Sequence, residues 1–204
     1  MNTIRPHPMR LHNAAFAIVM MFLMACSGAS EKPSTPVKSA PGTETTVILV
    51  RHAERAKEQG DSALRPEGRA RALALADTLA NAGVTAIYSP DRGRNRETVQ
   101  PLADRLGLTL NLIPEKQLAN TRAFADQFVS MVLSQHAGGV VLWVGNKSPV
   151  GIWGGNLNEI YQRLGGTGNG PSKYDDLFII VVSDTGSLNV NKTAYGKKAG
   201  KFDQ

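Results

Sequence analysis

The stretch that decides the fold is Thr46-Val47-Ile48-Leu49-Val50-Arg51-His52-Ala53-Glu54. Thr46 to Val50 is an unbroken β-branched and aliphatic run. It predicts a strand buried on both faces, because a half-exposed strand alternates apolar with polar side chains. The run stops at an arginine and a histidine. Such a strand end is a poor place for core packing and a good one for anion chemistry. An imidazole acts as a nucleophile toward phosphorus when its neighbours manage its charge. A guanidinium beside it offers a planar fork of donors to phosphate oxygens.

Outward from this strand the chain alternates. Residues 66–82 predict a helix, with Pro66 at the first position, apolar residues such as Leu75, Leu79 and Ala82 at helical spacing, and Gly83 as a stop. Further strands are predicted at 84–88, 108–112, 140–144, 177–182 and 187–195, the last following an Asp184-Thr185-Gly186 turn. Further helices are predicted at 93–106, 121–136 and 150–164. The alternation implies an α/β three-layer sandwich with a mostly parallel central sheet. Ligands in such folds sit beyond the carboxyl ends of the strands, which points to residues 51–62 and 145–149.

The 204 residues suffice for one domain with appendages. Apolar residues make up 42% and aromatics 6%, so the core must be mainly aliphatic. The net charge of +6 suits anionic partners, but part of it lies in the tail, at Lys192, Lys197, Lys198 and Lys201. No aromatic-interleaved basic stretch suggests nucleic-acid binding. The single cysteine excludes an internal disulfide and a cysteine zinc cage. No histidine or carboxylate cluster has metal-ligand spacing, and neither a metal nor a cofactor is expected.

The first residues read as an address. Arg5 and Arg10 are followed by an apolar run from Ala14 to Cys26, of 13 residues. A bilayer-spanning helix needs about 20, whereas a signal-peptide h-region needs fewer. Leu23-Met24-Ala25-Cys26 resembles a bacterial lipobox. Residues 1–25 are therefore expected to be a lipoprotein signal peptide, with Cys26 lipidated as the mature N-terminus. An ordinary signal peptide and an uncleaved anchor are the alternatives. Ser27 after the cysteine favours the outer membrane, with the domain facing the periplasm. Residues 26–44 are rich in Ser, Pro, Gly and Lys and read as a flexible tether, so the domain is expected over 45–204.

VILVRHAE (47–54) and LRPEGRARALALADTLANAGVTAIYSPDRGRNRETVQPLADRLGL (64–108) together resemble the histidine phosphatase (phosphoglycerate mutase-like) superfamily. The resemblance rests on Arg51-His52-Ala53, on the helix start Pro66-Glu67-Gly68, and on Tyr88-Ser89-Pro90 leading to Arg94-Asn95-Arg96-Glu97-Thr98. It extends to about Tyr195. It implies that His52 is the nucleophile, forming a phosphohistidine, and that Arg51 and Arg94 bind the phosphoryl oxygens. Arg96 is expected at the surface. Glu115, after the third strand, is the best-placed general acid, with a surface helix-start carboxylate as the alternative. Glu54 belongs to the motif without an assigned catalytic role.

One position departs from the family. Where the family has a Gly-His pair after the fourth strand, this chain has Val144-Gly145-Asn146-Lys147-Ser148. Asparagine donates a hydrogen bond but carries no charge. Losing one transition-state donor costs roughly 10²–10³ in rate. Asn146 is still expected to contact phosphate, and Lys147 stands next to it. No other histidine replaces the lost one: His7 and His12 fall in the signal and His136 ends a helix. Two readings result. One is a phosphomonoester hydrolase of the cell envelope, of full or weakened activity, acting on a phosphorylated small molecule or phosphoprotein. The other is a catalytically impaired pseudophosphatase that binds a phosphorylated ligand. A purely structural lipoprotein leaves Arg51-His52 without a purpose. A mutase is disfavoured because there is little room between Glu115 and Ala137 for a substrate-enclosing insert.

Overall fold

The computed structural model of the protein describes residue 1 and residues 36–58, 60–147 and 155–200. The chain divides into two compact units, Met1–Ser30 and Glu31–Gln204, and the elements below all belong to the second. The expected signal peptide, Cys26, the first part of the tether and residues 148–154 lie outside the described residues.

The elements run β1 (Glu44–Arg51), α1 (Pro66–Leu79), β2 (Val84–Pro90), α2 (Gly93–Leu106), β3 (Leu110–Ile113), a 3₁₀ turn (Glu115–Leu118), α3 (Thr121–Gln135), β4 (Val140–Gly145), α4 (Asn156–Arg163), β5 (Asp176–Ser183) and β6 (Leu188–Ala194). The sheet order is β3-β2-β4-β1-β5-β6. The pairs β1–β4, β2–β4 and β2–β3 are parallel. β5 returns antiparallel along β1, and β6 antiparallel along β5. The expected α/β architecture with a mostly parallel sheet is what the chain adopts.

The unbroken apolar run of β1 has the reason anticipated. Val47 and Leu49 pack with Trp143, Phe124, Phe128 and Leu157, on the face covered by α3 and α4. Ile48 and Val50 pack with Leu75, Leu79, Val99 and Leu102, on the face covered by α1 and α2. Each residue from Val47 to Val50 thus reaches one of two cores, and that stretch has no position left for a polar side chain.

Element ends shift by a few residues, as they do where fraying and turns blur a boundary. α1 stops at Leu79 and β3 starts at Leu110. α4 starts at Asn156, while the earlier part of the helix expected over 150–164 falls largely outside the described residues. The last part of the expected tether is not free chain. Ser39 is buried, its N–H donates to the Ser183 carbonyl at 3.0 Å, and its hydroxyl meets those of Thr43 and Thr45 at 2.6 Å. Val37 packs on the α3/α4 core. This short polar segment satisfies its groups against the end of β5, a long-range pairing that its composition does not announce.

Candidate active site

Parallel strands bring their carboxyl ends to one edge, so the ends of β1, β2 and β4 converge. β1 delivers Arg51 and His52. β2 leads through a short turn into α2, whose second residue is Arg94. β4 delivers Gly145 and Asn146. The His52 N–H extends the ladder to the Gly145 carbonyl at 3.1 Å. Gly145 has no substitute there: a Cβ at this position would lie 2.3 Å from Asn156 Oδ1 and 2.7 Å from Leu157 Cγ. Asn156 Oδ1 accepts from the Asn146 N–H at 2.9 Å and from Trp143 Nε1 at 3.2 Å, pinning the turn after β4.

His52 is 4% exposed. Its Nδ1 lies 2.8 Å from the Ala53 carbonyl oxygen. A carbonyl only accepts, so Nδ1 carries the proton and Nε2 keeps its lone pair. Burial pushes the imidazole pKa down to about 3, partly countered by the hydrogen bond to Ala53 and reinforced by Arg51, Arg94 and Arg55. The ring is therefore held neutral and in a single tautomer at physiological pH.

Three of the four residues expected to bind phosphate or do chemistry beside it are buried or half-buried here. The Arg51 guanidinium stacks 3.9 Å above the Tyr174 ring and donates from Nη1 to the Ser172 carbonyl at 2.9 Å. Arg94 donates from Nη2 to Asn146 Oδ1 at 2.9 Å, and its Nη1 stands 3.6 Å from Asp61. Because a guanidinium only donates, Asn146 must turn its carbonyl toward Arg94, leaving its amide nitrogen as a donor. Burial lowers the pKa of Arg51, and lowers that of Arg94 to about 10 with help from Arg92 and Arg55. Both remain cationic at neutral pH. Their Nε atoms are buried and have no hydrogen-bond partner among the described residues. Two buried cations with unused donors mark a seat for an anion.

Glu115 stands apart from these. It opens the 3₁₀ turn, is more than half exposed, and pairs with Arg92 at the N-terminal end of α2. Its partner Arg92 stands two residues before Arg94 in the chain. Lys147 is exposed, and its charge interacts with Arg51 and Asp176. Arg96 is exposed and pairs with Asp91 at 3.0 Å.

The fold also brings in residues that the motifs alone did not assign. Thr98 Oγ1 accepts from the Ala53 N–H at 2.9 Å and donates to the Arg94 carbonyl at 2.7 Å. It thereby ties the loop after β1 to α2. Arg94 and Thr98 are four apart on one helix face, a spacing visible in the chain. Asn95 donates to the Val144 carbonyl at 3.2 Å. Asp61 accepts from the Gly93 N–H at 2.9 Å, at the start of α2. Glu54 and Arg71 form a buried pair, at 2.7 Å between Arg71 Nη2 and Glu54 Oε1, and Arg71 Nη1 reaches the Tyr195 carbonyl at 3.2 Å.

The profile of the histidine phosphatase superfamily (branch 1) matches residues 47–165, more than half of the chain. The chain belongs to the histidine phosphatase superfamily. Among curated relatives of this histidine phosphatase-family chain, an 8-oxo-(d)GTP phosphatase of Mycolicibacterium smegmatis is 37% identical over 91 residues, 42% of this chain and 27% of that protein. A probable phosphoglycerate mutase GpmB of Yersinia pestis is 37% identical over 81 residues, 36% of this chain and 38% of that protein. The alignments thus span between a quarter and two fifths of these relatives' lengths. Among solved structures, a phosphoglycerate mutase from Bacillus anthracis superposes with a TM-score of 0.55 at 16% identity, over 74% of this chain and 93% of that one. A putative phosphohistidine phosphatase SixA from Agrobacterium tumefaciens gives 0.53 at 18%, over 75% and 98%. At such identities the structural likeness speaks for the fold alone.

Proposed function

We propose that the protein is a phosphomonoester hydrolase of the cell envelope that works through a phosphohistidine at His52. The observation that carries this reading is the neutral, buried imidazole with Nε2 free, flanked by two buried guanidinium groups with unused donors. Superfamily membership and phosphatase relatives support the reaction class.

In the first step His52 Nε2 attacks phosphorus, and the bond from phosphorus to the ester oxygen breaks. The leaving oxygen takes a proton from Glu115, which binds that proton from solvent when its ion pair with Arg92 opens. Arg51, Arg94 and the Asn146 amide hold the three equatorial oxygens, where charge spreads in a loose phosphoryl-transfer transition state. In the second step water attacks the phosphohistidine, Glu115 takes its proton, and the P–N bond breaks to release inorganic phosphate. The substrate is a phosphorylated small molecule or phosphoprotein. The address at residues 1–26 supports export and anchoring through a lipid on Cys26, facing the periplasm.

Asn146 favours a second reading, a pseudophosphatase that binds a phosphorylated ligand without turnover, since Arg94 and not a second imidazole meets it. Hydrolysis of an aryl phosphate by the purified full-length chain separates the two. The hydrolase predicts activity abolished by His52→Ala and raised by Asn146→His by roughly 10–10²-fold. An inert wild type that gains activity only with Asn146→His overturns the hydrolase and leaves the binder.

A further inference from the structure

Arg51 ends β1, and its guanidinium is held from two directions by one distant turn, the residues just before β5. The Ser172 carbonyl accepts from Nη1 at 2.9 Å, at the edge of the guanidinium. The Tyr174 ring lies under its face, with Cζ 3.9 Å from the ring centroid. Nε has no hydrogen-bond partner among the described residues. Edge and face of the fork are therefore both set by this turn.

The same ring reaches the other half of the pocket. Tyr174 is 5% exposed, and its centroid stands 5.8 Å from that of His52, at an interplanar angle of 58°. Aromatic rings attract at such separations. The hydrogen bond from Nδ1 to Ala53 fixes the His52 tautomer, and Tyr174 packs against the ring itself. One buried side chain thus touches both groups that meet phosphorus in the mechanism above.

The turn that presents it is tied at both ends. Asp176 Oδ2 accepts from the N–H groups of Ser172 and Lys173, both at 2.8 Å. Asp176 itself opens β5, opposite Ala194 of β6. Upstream, the Gly170 N–H donates to Asn158 Oδ1 at 3.1 Å. Gly170 lies so close to α4 that a Cβ there would be 2.8 Å from the Leu157 carbonyl oxygen. The segment carrying Tyr174 is anchored to α4 on one side and to the sheet on the other.

We propose that Tyr174 is a positioning residue for phosphoryl transfer, its ring the platform that orients the Arg51 fork and steadies the His52 imidazole. The proposal rests on the phosphate-pocket reading above. A guanidinium recognises phosphate through a planar fork, and a misplacement of about 1 Å costs on the order of 10²-fold in rate. An aromatic face holds the fork in plane and uses none of its N–H donors. A carboxylate in the same place would occupy those donors and compete with phosphate.

The test uses the full-length chain in detergent, with binding of orthovanadate and of inorganic phosphate by calorimetry beside aryl phosphate hydrolysis. Orthovanadate takes the trigonal-bipyramidal shape of the transition state and phosphate the tetrahedral shape of the ground state, so the ratio of the two affinities reads alignment and not charge. Tyr174→Leu removes the platform. It is expected to weaken vanadate binding about tenfold and to lower kcat by roughly 10–10²-fold, with phosphate affinity and KM changed by less than about threefold. Tyr174→Phe keeps the ring face and should stay within about threefold of the wild type throughout. A merely structural role lowers both affinities together, and an unchanged ratio in Tyr174→Leu overturns the proposal. If Tyr174→Leu does not fold, Asp176→Ala carries the test, because it releases the turn and leaves the ring chemistry intact. A loss of vanadate affinity of about fivefold with phosphate affinity retained supports the platform, and an unchanged ratio overturns it. A wild type that binds vanadate but hydrolyses no ester overturns the hydrolase alone, and the two affinities still decide on Tyr174. A wild type that binds neither anion overturns the phosphate pocket and the proposal with it.

Discussion

At His52 the ring proposed to carry the chemistry also carries a cost in stability. Burial in the pocket holds its pKa at about 3, against 6.5 for the free side chain. The folded chain therefore keeps the ring neutral down to about pH 3, whereas the unfolded chain takes up a proton below about pH 6.5. Between those values the unfolded state binds more protons, so stability falls as the pH drops. The melting temperature of the wild type should decline between pH 6.5 and 4, and His52→Asn should flatten that decline, as read by thermal unfolding at a series of pH values. An equally steep decline in His52→Asn would show that the ring titrates normally in the folded chain. The same burial means that no acidic limb in the pH–rate profile belongs to His52 above about pH 4, so an acidic limb near neutrality must come from substrate or from another group. Residues such as Arg51, His52 and Arg94 were legible in the chain because each sits inside a local pattern: a strand end, or a helix start with a threonine four residues on. Asp61 was not, because its role depends on which way a loop of no regular period folds back.

At the scale of elements, the loop after β1 is held from below by a buried ion pair. Glu54 and Arg71 meet with side chains 3% and 5% exposed, through two nitrogens of the guanidinium. Burial works against the charge on Arg71, and the Glu54 carboxylate more than offsets it, raising the Arg71 pKa above its usual value. Removing one partner strands the other charge in the interior. Arg71→Ala should therefore cost about 3–5 kcal/mol in urea unfolding, and kcat should fall with it, because Glu54 is two residues from the nucleophile. A loss under about 1 kcal/mol would mean that water reaches Glu54 and that the pair does not organise the loop. Glu54 was visible as part of a motif, but its partner was not. Arg71 lies on a helix whose charged residues all look alike in sequence, and only the docking of α1 through Gly68 shows which one turns inward.

At the scale of the whole molecule, the proposed function joins a histidine phosphatase-family domain to an address. The described residues from 36 onward form a unit whose candidate pocket sits at one edge of the sheet, and residues 1–26 are proposed to carry an export and lipidation signal. Cys26→Ser should move the chain from the membrane fraction to the soluble or inner-membrane precursor fraction, and should abolish incorporation of labelled fatty acid. Label retained in the variant would sink the lipid anchor at that cysteine. Taken alone, the chain determined the alternation of strand and helix, the burial of β1 on both faces, and the family to which the motif at its end belongs. These depend on side chains within a few residues of one another, where period and composition speak directly. What only the tertiary structure decided is which distant groups share the pocket: Asn146 beside Arg94, Tyr174 under Arg51, Thr98 on the Ala53 amide, Ser39 against β5. Those contacts join residues from 45 to 144 positions apart, and they are set by strand order and loop packing. The free energy that fixes them is spread over two cores and is written in no single motif.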